Sequence, residues 1–540
     1  MVVLNCLRHG MYQSNSVRGF SPWMGLIAAM ALLGFYLLGL DYALLFDVDE
    51  GAFTEATREM LLSKDWGHTT LNGADRFDKP IGVYWLQALS ASAFGLTEFS
   101  YRLPSALSAW AGSLALAFFA FEKWGRRAAG LIAVISATSL GPWAMARTAT
   151  ADALLGLCFV LIFLDLWRSL ESHKIFYTRR LAIWMALGIL VKGPVAVLLP
   201  VGSILVYALL TPSDRSHVKA MFLDAGSWLL LISISMPWYA YAYMRHGQNF
   251  IDGFLLKHNV ERFTGSLEGH SGHWAYFLIA LPLLWMPWSV LWFKSLMHMG
   301  SQWKQPLLKF SWVWFFFVFV FFTLANTKLP HYLLYAGPAM CLLILQSALS
   351  AQRTTWTMTW LLALGGLLLL ILSPSYLRAN QDVIHNEYYR GLFLHAPNVD
   401  FLHWVLVIPL LLLISPFLHY LFRKFKPDAV FNFPGIGFVS LAFYQSCILS
   451  LIVLPWWSYV LQSPVHDLAI EFKNTPVTVV QWGVHLPSFA TYRQSESPRR
   501  EPLEGEFALV KNIKPYWPAH WNIVVTNGPL AVVQSTKAAK

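Results

Sequence analysis

Long apolar runs, broken by short polar stretches, dominate this chain. About 20 apolar residues cross the hydrocarbon of a bilayer as one helix, at 1.5 Å rise per residue. Residues 310–324, 361–372 and 404–414 are cores of such runs. Along the whole chain the pattern predicts about thirteen spans. They lie near 20–40, 103–121, 128–146, 153–168, 180–191, 194–210, 221–243, 274–293, 310–326, 332–349, 356–373, 402–421 and 434–454. Only Lys192-Gly193-Pro194 separates the fifth from the sixth, so one broken span is the alternative. The first run follows Arg8 and Arg18 and reads as a signal-anchor, since no small-residue cleavage site follows it.

Three polar segments are long enough to carry chemistry: 41–102, 244–273 and the tail from 455 to 540. In the tail, apolar and polar residues alternate at 477–480, 507–510 and 523–525, with turn residues between, which predicts short strands. The expected organisation is a polytopic α-helical membrane domain over 1–454, with 41–102 as its first outer loop. A small α/β domain over 455–540 follows it.

Composition supports a membrane protein: 56% of residues are apolar and 13% charged, where soluble domains carry about 25% charge. A formal charge of +10 could suggest nucleic acid, but its placement argues otherwise. With the N-terminus in the cytoplasm, the short inner segments collect Lys123, Arg126, Arg127, Arg168, Lys174, Arg179, Arg180, Arg215, Lys219, Arg353, Arg423 and Lys424. That is the positive-inside bias, so the charge reports topology. Cys6, Cys158, Cys341 and Cys447 have no metal-ligand spacing. No phosphate-cradling glycine loop occurs, which disfavours a nucleotide donor.

The first outer loop holds the densest chemistry. Phe53, Ala56, Thr57, Met60 and Leu61 recur at helical spacing and predict an amphipathic helix along the membrane surface. Asp49 precedes it. One reading makes Asp49 a helix cap; the other makes it a general base at the membrane boundary, taking a proton from an acceptor hydroxyl. Farther on, Asp78-Lys79-Pro80 places a cation beside an anion in a Pro-stiffened stretch. The pair is either a surface ion pair or a phosphate site in which Lys79 binds and Asp78 orients it or holds a cation. Tyr84 and Trp85 suit an interfacial aromatic belt.

An ordered set of motifs runs on from there. Asp49-Glu50, Arg58-Glu59-Met60, Asp65-Trp66, Asn72-Gly73, Phe77-Asp78-Lys79-Pro80, Tyr84-Trp85-Leu86 and Arg102-Leu103-Pro104 fall within the first loop. Arg147-Thr148-Ala149-Thr150-Ala151-Asp152, Lys192-Gly193-Pro194, Pro237-Trp238-Tyr239, Glu261-Arg262-Phe263 and Lys328-Leu329-Pro330-His331-Tyr332 follow. This set resembles the lipid A aminoarabinose transferases, bacterial relatives of the protein O-mannosyltransferases with the GT-C glycosyltransferase fold. The resemblance covers about residues 20–350. It implies a GT-C-like bundle with outer juxtamembrane helices and an inverting sugar transfer from an undecaprenyl-phosphate-type donor to a periplasmic acceptor, a glycolipid such as lipid A or a protein. Asp49 would be the catalytic carboxylate and Asp152 a second acid at the site. Lys79 and Arg262 would hold the polyprenyl phosphate with Tyr332 nearby, and Glu50 and Tyr84 would contact substrate. Asp78 would correspond to a carboxylate that can help bind a divalent cation, with His331 as a second candidate ligand. Two positions depart from the family pattern: Ala52-Phe53 after the acidic pair, and Arg76 before Phe77-Asp78-Lys79.

Other residues have plain alternatives. Asp152 is equally well a cap of the fourth span. Lys192 and Lys328, at span ends, read by default as snorkelling to headgroups. His258, His270 and His273 share a loop without zinc spacing. A transporter of polyprenyl lipids would share the spans and the basic residues, but the large first loop, the folded tail and the lack of inverted halves weigh against it. A membrane scaffold does not account for charged residues at span ends.

Overall fold

The computed structural model describes residues 22–261, 272–394, 436–513, 517, 518 and 520–536. Helices in chain order are α1 (Pro22–Leu37), α2 (Asp49–Ser63), α3 (Gly82–Phe94), α4 (Glu98–Trp124), α5 (Arg126–Thr138), α6 (Asp152–Ser172), α7 (Ile175–Lys192), α8 (Val195–Leu210) and α9 (Ala225–His246). After the 262–271 stretch come the short helices Tyr276–Leu284 and Ser289–Met297, then α10 (Pro306–Leu324), α11 (Gly337–Leu349), α12 (Arg353–Ala379), α13 (Glu387–Leu394), α14 (Ile436–Ile448), α15 (Leu454–Glu471) and α16 (Ser488–Arg493).

Among the described residues five helices are long and apolar enough to cross a membrane, and up to seven spans result if each of two sharply bent pairs counts as one. The five are α4, α6, α10, the helical run Pro330–Leu349 and the continuous helix Leu441–Glu471. The other apolar runs within the described residues also fold as helices. The expected span at 128–146 breaks at Ser139 into α5 and a short helix Leu140–Met145. The pair at 180–210 is two helices, α7 and α8, divided at Gly193, whose φ of +98° suits glycine. The span expected at 402–421 lies outside the described residues.

Among the described residues a large apolar cluster runs from α2 and α3 through α4 to α11, and a second joins α1, α4, α5 and the 441–471 helix. Trp285, Trp288, Trp312, Trp314 and Phe159 are fully enclosed in the first. Lipid is as apolar as these side chains, so close van der Waals packing within the cluster, rather than removal from water, fixes how the helices pack.

The tail forms a four-stranded sheet of β3 (Val479–Gln481), β4 (Phe507–Lys511), β5 (Asn522–Asn527) and β6 (Leu530–Gln534), in the order β3-β4-β6-β5. Strand β3 runs parallel to β4, and the other pairs are antiparallel. Alternating residues face opposite sides. Val479, Leu509, Leu530 and Val532 pack with Val465, Leu468 and Phe489 of α15 and α16. Val480, Ala508, Val510 and Val533 pack with Trp517 and Trp521. The boundary read after residue 454 falls inside the continuous helix, and the residues that enter the sheet's core begin at Val465.

One element departs from its sequence reading. Helix α2 has an apolar face, as predicted, but the opposite face is buried too: Glu50, Thr54, Glu55, Arg58 and Glu59 are all enclosed. Arg102 covers Glu50 and the 70–73 turn covers Glu59, while α16 lies over Thr54 and Glu55. Thr491 hydrogen-bonds Glu55 at 3.2 Å and shares a bond with Thr54 at 3.2 Å, while Ser488 N–H donates to Asp47 at 2.9 Å. Polar residues on α2 thus bond other parts of the protein, the tail among them, rather than water.

Candidate active site

Helix α2 is anchored by Glu50. Its carboxylate accepts two bonds from Arg102, at 2.8 and 2.9 Å, and the amides of Ala149 at 2.7 Å and Phe46 at 3.0 Å. Arg102 in turn donates to the carbonyls of Leu40, Ala43 and Leu44 just beyond α1. Glu50, expected to contact substrate, is therefore a positioning residue, because both its oxygens are buried and engaged. It locks the N-terminus of α2 to the turn three residues before α6. Asp49 and Asp152, each the first residue of its helix, are thereby brought to neighbouring helix starts.

Neither aspartate caps its helix. Val48 and Ala151 stand at the cap positions, with no side-chain cap bond in either case. Asp49 is exposed. The Asp152 carboxylate instead accepts from Lys192 at 2.6 Å and from the Tyr335 hydroxyl at 2.9 Å, and Lys192 also donates to Tyr335 at 2.7 Å. His331 Nε2 lies 3.7 Å from the same carboxylate. Lys192 thus does not snorkel. It closes a buried triad with an acid and a phenol 143 residues farther on. Tyr332 is buried beside it, its ring 4.7 Å from Phe322 and 5.9 Å from the Lys192 ammonium. Lys328 turns inward, donating to the end carbonyls of α10 at Phe322 and Ala325.

The second group forms on the stretch before α3. A small hairpin, β1 (Thr70–Leu71) with β2 (Ala74–Asp75), turns at Asn72-Gly73. Both turn residues have positive φ, 54° and 78°, as a two-residue hairpin turn of this hand requires. Glu59 of α2 holds the turn through the amides of Asn72 and Gly73. The chain then delivers Arg76, Asp78 and Lys79. Asp78 binds Lys79 at 2.7 Å, Arg76 at 3.0 Å and His258 at 3.0 Å. Burial alone would raise the Asp78 carboxyl, but Lys79, the His258 hydrogen bond and Arg76 outweigh it and hold it well below the usual carboxylate range. Arg76 also donates to the buried Tyr84 hydroxyl at 3.1 Å and lies 5.7 Å over Phe53, which stacks on Tyr84. Burial would lower the Arg76 guanidinium, yet Tyr84, Asp78 and Asp49 more than offset it. Tyr84 is therefore a support for Arg76 rather than an interfacial anchor.

The two groups are adjacent. Gly82, at the start of α3, packs so tightly on the end of α7 that a Cβ there would sit 2.8 Å from the Leu190 carbonyl, two residues before Lys192. Gln87 of α3 bonds Thr57 of α2 at 2.8 Å and the Ala149 carbonyl at 3.0 Å. One end of the bundle therefore carries Asp49, Arg76, Lys79, Asp152, Lys192 and His331 together. Arg262 lies outside the described residues.

Sequence reasoning missed Arg76 and Tyr335 as members and ranked Lys192 as a headgroup contact. Arg76 was visible only as a departure from the family pattern. As a cation pair, Arg76 and Lys79 can hold a phosphate oxyanion; the exposed Asp49 can accept a proton. A divalent cation at Asp78 fits poorly, since Lys79 and Arg76 already neutralise that carboxylate and His258 offers it one more ligand atom. His331 faces Asp152, not Asp78.

The chain as a whole is similar to several known proteins. The family model for dolichyl-phosphate-mannose-protein mannosyltransferase matches residues 78–240. An uncharacterised protein of Aquifex aeolicus is 32% identical over 57% of this chain and 70% of its own length. An undecaprenyl phosphate-alpha-4-amino-4-deoxy-L-arabinose arabinosyl transferase of Shewanella sediminis is 26% identical over 61% of this chain and 60% of its own. The match thus spans less than two thirds of that transferase. In three dimensions the crystal structure of ArnT from Cupriavidus metallidurans bound to undecaprenyl phosphate superposes with a TM-score of 0.78 at 19% identity, over 95% of this chain and 98% of the other. The fold is the same, and the chain resembles the lipid A aminoarabinose transferases and the protein O-mannosyltransferases.

Proposed function

We propose that this protein transfers a sugar from an undecaprenyl-phosphate donor to a glycolipid acceptor of the lipid A class, on the outer face of a bacterial inner membrane. The observation that carries the reading is an exposed acid, Asp49, beside the Arg76–Lys79 cation pair at one end of an apolar bundle. The named activity of the Shewanella relative supplies the donor class and a 4-amino-4-deoxy-arabinose as the first sugar to test. A thirteen-span arrangement with the N-terminus in the cytoplasm, and a tail domain on the periplasmic side, belongs to the same proposal.

The donor's phosphate is already a good leaving group, so it needs charge stabilisation rather than a strong acid. Lys79 and Arg76 meet the charge that grows as the sugar C–O bond breaks, with Arg262 as a further candidate. Asp49 takes the proton of the acceptor hydroxyl as its oxygen attacks the same carbon. One base and one phosphate clamp make a single displacement with inversion; no separate nucleophile is singled out for a retaining route. Asp152 fixes Lys192 and His331 at the rim of this space and acts through them.

The test is a transfer assay on purified protein with the aminoarabinose donor and either lipid A or a serine-rich peptide, read by mass spectrometry. Added pentose on lipid A, lost in Asp49→Asn, supports the reading. Transfer to the peptide alone would favour the protein O-glycosyltransferase alternative, and undiminished transfer by Asp49→Asn would remove the base assignment.

A further inference from the structure

Beside the proposed phosphate clamp lies a second set of polar side chains that the transfer chemistry does not use. His68 precedes β1, Asp75 ends β2, and His246 is the last residue of α9. Their ligand atoms all lie within 4.8 Å of one another, and among the described residues this is the one group of three His, Cys, Asp or Glu side chains so gathered. His68 Nε2 is 3.0 Å from one Asp75 oxygen, and His246 Nδ1 is 3.5 Å from the other. The two imidazoles stack with centroids 4.4 Å apart, and Phe77 closes edge-on against His246. His246 Nε2 is buried without a hydrogen-bond partner among the described residues.

We propose that His68, Asp75 and His246 form a binding site for a zinc-class transition-metal ion that clamps the β1–β2 hairpin to the end of α9. Two nitrogens and one carboxylate are the donor set zinc takes, at about 2.0–2.2 Å each. Ligand atoms at that radius in a tetrahedron stand roughly 3.3 Å apart, and the two contacts through Asp75 bracket that value. A small space of about 10 Å³ borders both imidazoles, with Arg76 and Lys79 on its other side. The neighbouring Arg245 does not oppose a cation with its full charge, because Asp65 holds it at 2.5 Å.

The three ligands come from positions 68, 75 and 246, so no local spacing announces them, and only the fold brings them together. Asp75 is followed directly by Arg76, and three residues later by Lys79. The metal therefore acts as a strut for the cationic stretch and does not take part in sugar transfer. It is separate from the Asp78–His258 pair, which offers two ligand atoms and faces Arg76 and Lys79.

The experiment uses the full chain, purified in detergent without a polyhistidine tag and stripped with a chelator. Zinc is titrated calorimetrically and Co²⁺ is followed by its visible absorption, for the unmutated protein and for His68→Gln, His246→Gln and His258→Gln. Losing a direct ligand should cost more than the roughly 10–100-fold that losing a supporting partner does. The expected result is one zinc per chain with a tetrahedral Co²⁺ spectrum, retained by His258→Gln and weakened more than about tenfold by either other change. Zinc should raise the melting temperature of the unmutated protein and of His258→Gln only. The Co²⁺ spectrum of the unmutated chain gives a reading even where a variant fails to fold. No zinc uptake, or uptake lost in His258→Gln but kept in His68→Gln and His246→Gln, overturns the site. None of these readings depends on transfer activity, so they stand or fall apart from the proposed reaction.

Discussion

Single residues of one type divide here by what surrounds them. Asp49 and Glu50 are neighbours, yet Glu50 is wrapped by Arg102 and two amides while Asp49 is exposed at the start of α2. Only Asp49 keeps a carboxylate available for a proton. Replacing it with Asn keeps the shape and removes the base, so turnover should fall by about 10²–10⁴ with donor KM and melting temperature little changed. Lys79→Ala acts on the other half of the clamp. It strips Asp78 of one of two cations and removes a contact that strengthens as the leaving phosphate gains charge. Steady-state kinetics should then show a lower kcat together with a raised donor KM, a split that Asp49→Asn does not share. The motif string of the first loop was legible because it is local: Asp49, Lys79 and Tyr84 sit within one segment of chain. The partners of Asp152 were not, because Lys192 and Tyr335 reach it from 40 and 183 residues away and neither lies on a periodic pattern with it.

At the scale of elements, the helix starts are held by buried charge. Glu50 and Arg102 are both enclosed, and together they tie α1, α2, α4 and the turn before α6. A buried pair of this kind adds little net stability over apolar packing, but removing one partner strands the other without water. Arg102→Ala should therefore lower stability by about 3–5 kcal/mol, seen as an early thermal transition in detergent. Replacing the exposed Lys219 should change it by less than about 0.5 kcal/mol. A second outcome follows from the geometry: the loss should displace Asp49 from Asp152, so residual folded protein should be slow in transfer as well. Helix periodicity predicted α2 and its apolar face. It could not predict that the polar face would be covered, since that depends on where the tail folds, more than 400 residues downstream. Strand alternation found β3, β4 and β5 from short runs, whereas β6, whose Leu530–Val533 run is buried on both sides, shows no alternation to read.

For the whole molecule, the question is how the tail is joined to the bundle. α15 rises continuously from the spans, and α16 then folds back onto α2, where Asp47 accepts from the Ser488 amide and hydroxyl and Tyr492 bonds both the Leu45 amide and Glu98. Burial pushes the Asp47 carboxyl up to about 7, against the lowering effect of the Ser488 bonds. The folded pKa therefore stands above that of an unfolded Asp, near 4. The folded state then binds more protons than the unfolded one between about pH 4 and 7, so stability falls as pH rises across that window. The contribution is fully present below the unfolded pKa and lost as pH passes the folded one. The joint between tail and bundle should be the part affected, because both partners of Asp47 lie on α16. Hydrogen exchange in α16 and the facing turns of α2 should quicken between pH 5 and pH 8 more than exchange in α6 or α10, which carry no such group at the joint. Glu55, bonded to Thr491 of α16, is likewise raised by burial to about 7 and adds to the same response; Asp47→Asn keeps a hydrogen-bond acceptor, removes one of these two ionisations, and should weaken that pH response while leaving the sheet's own protection unchanged. An equal response in the variant would place the pH sensitivity elsewhere and leave Asp47 as a hydrogen-bonding partner of α16 alone.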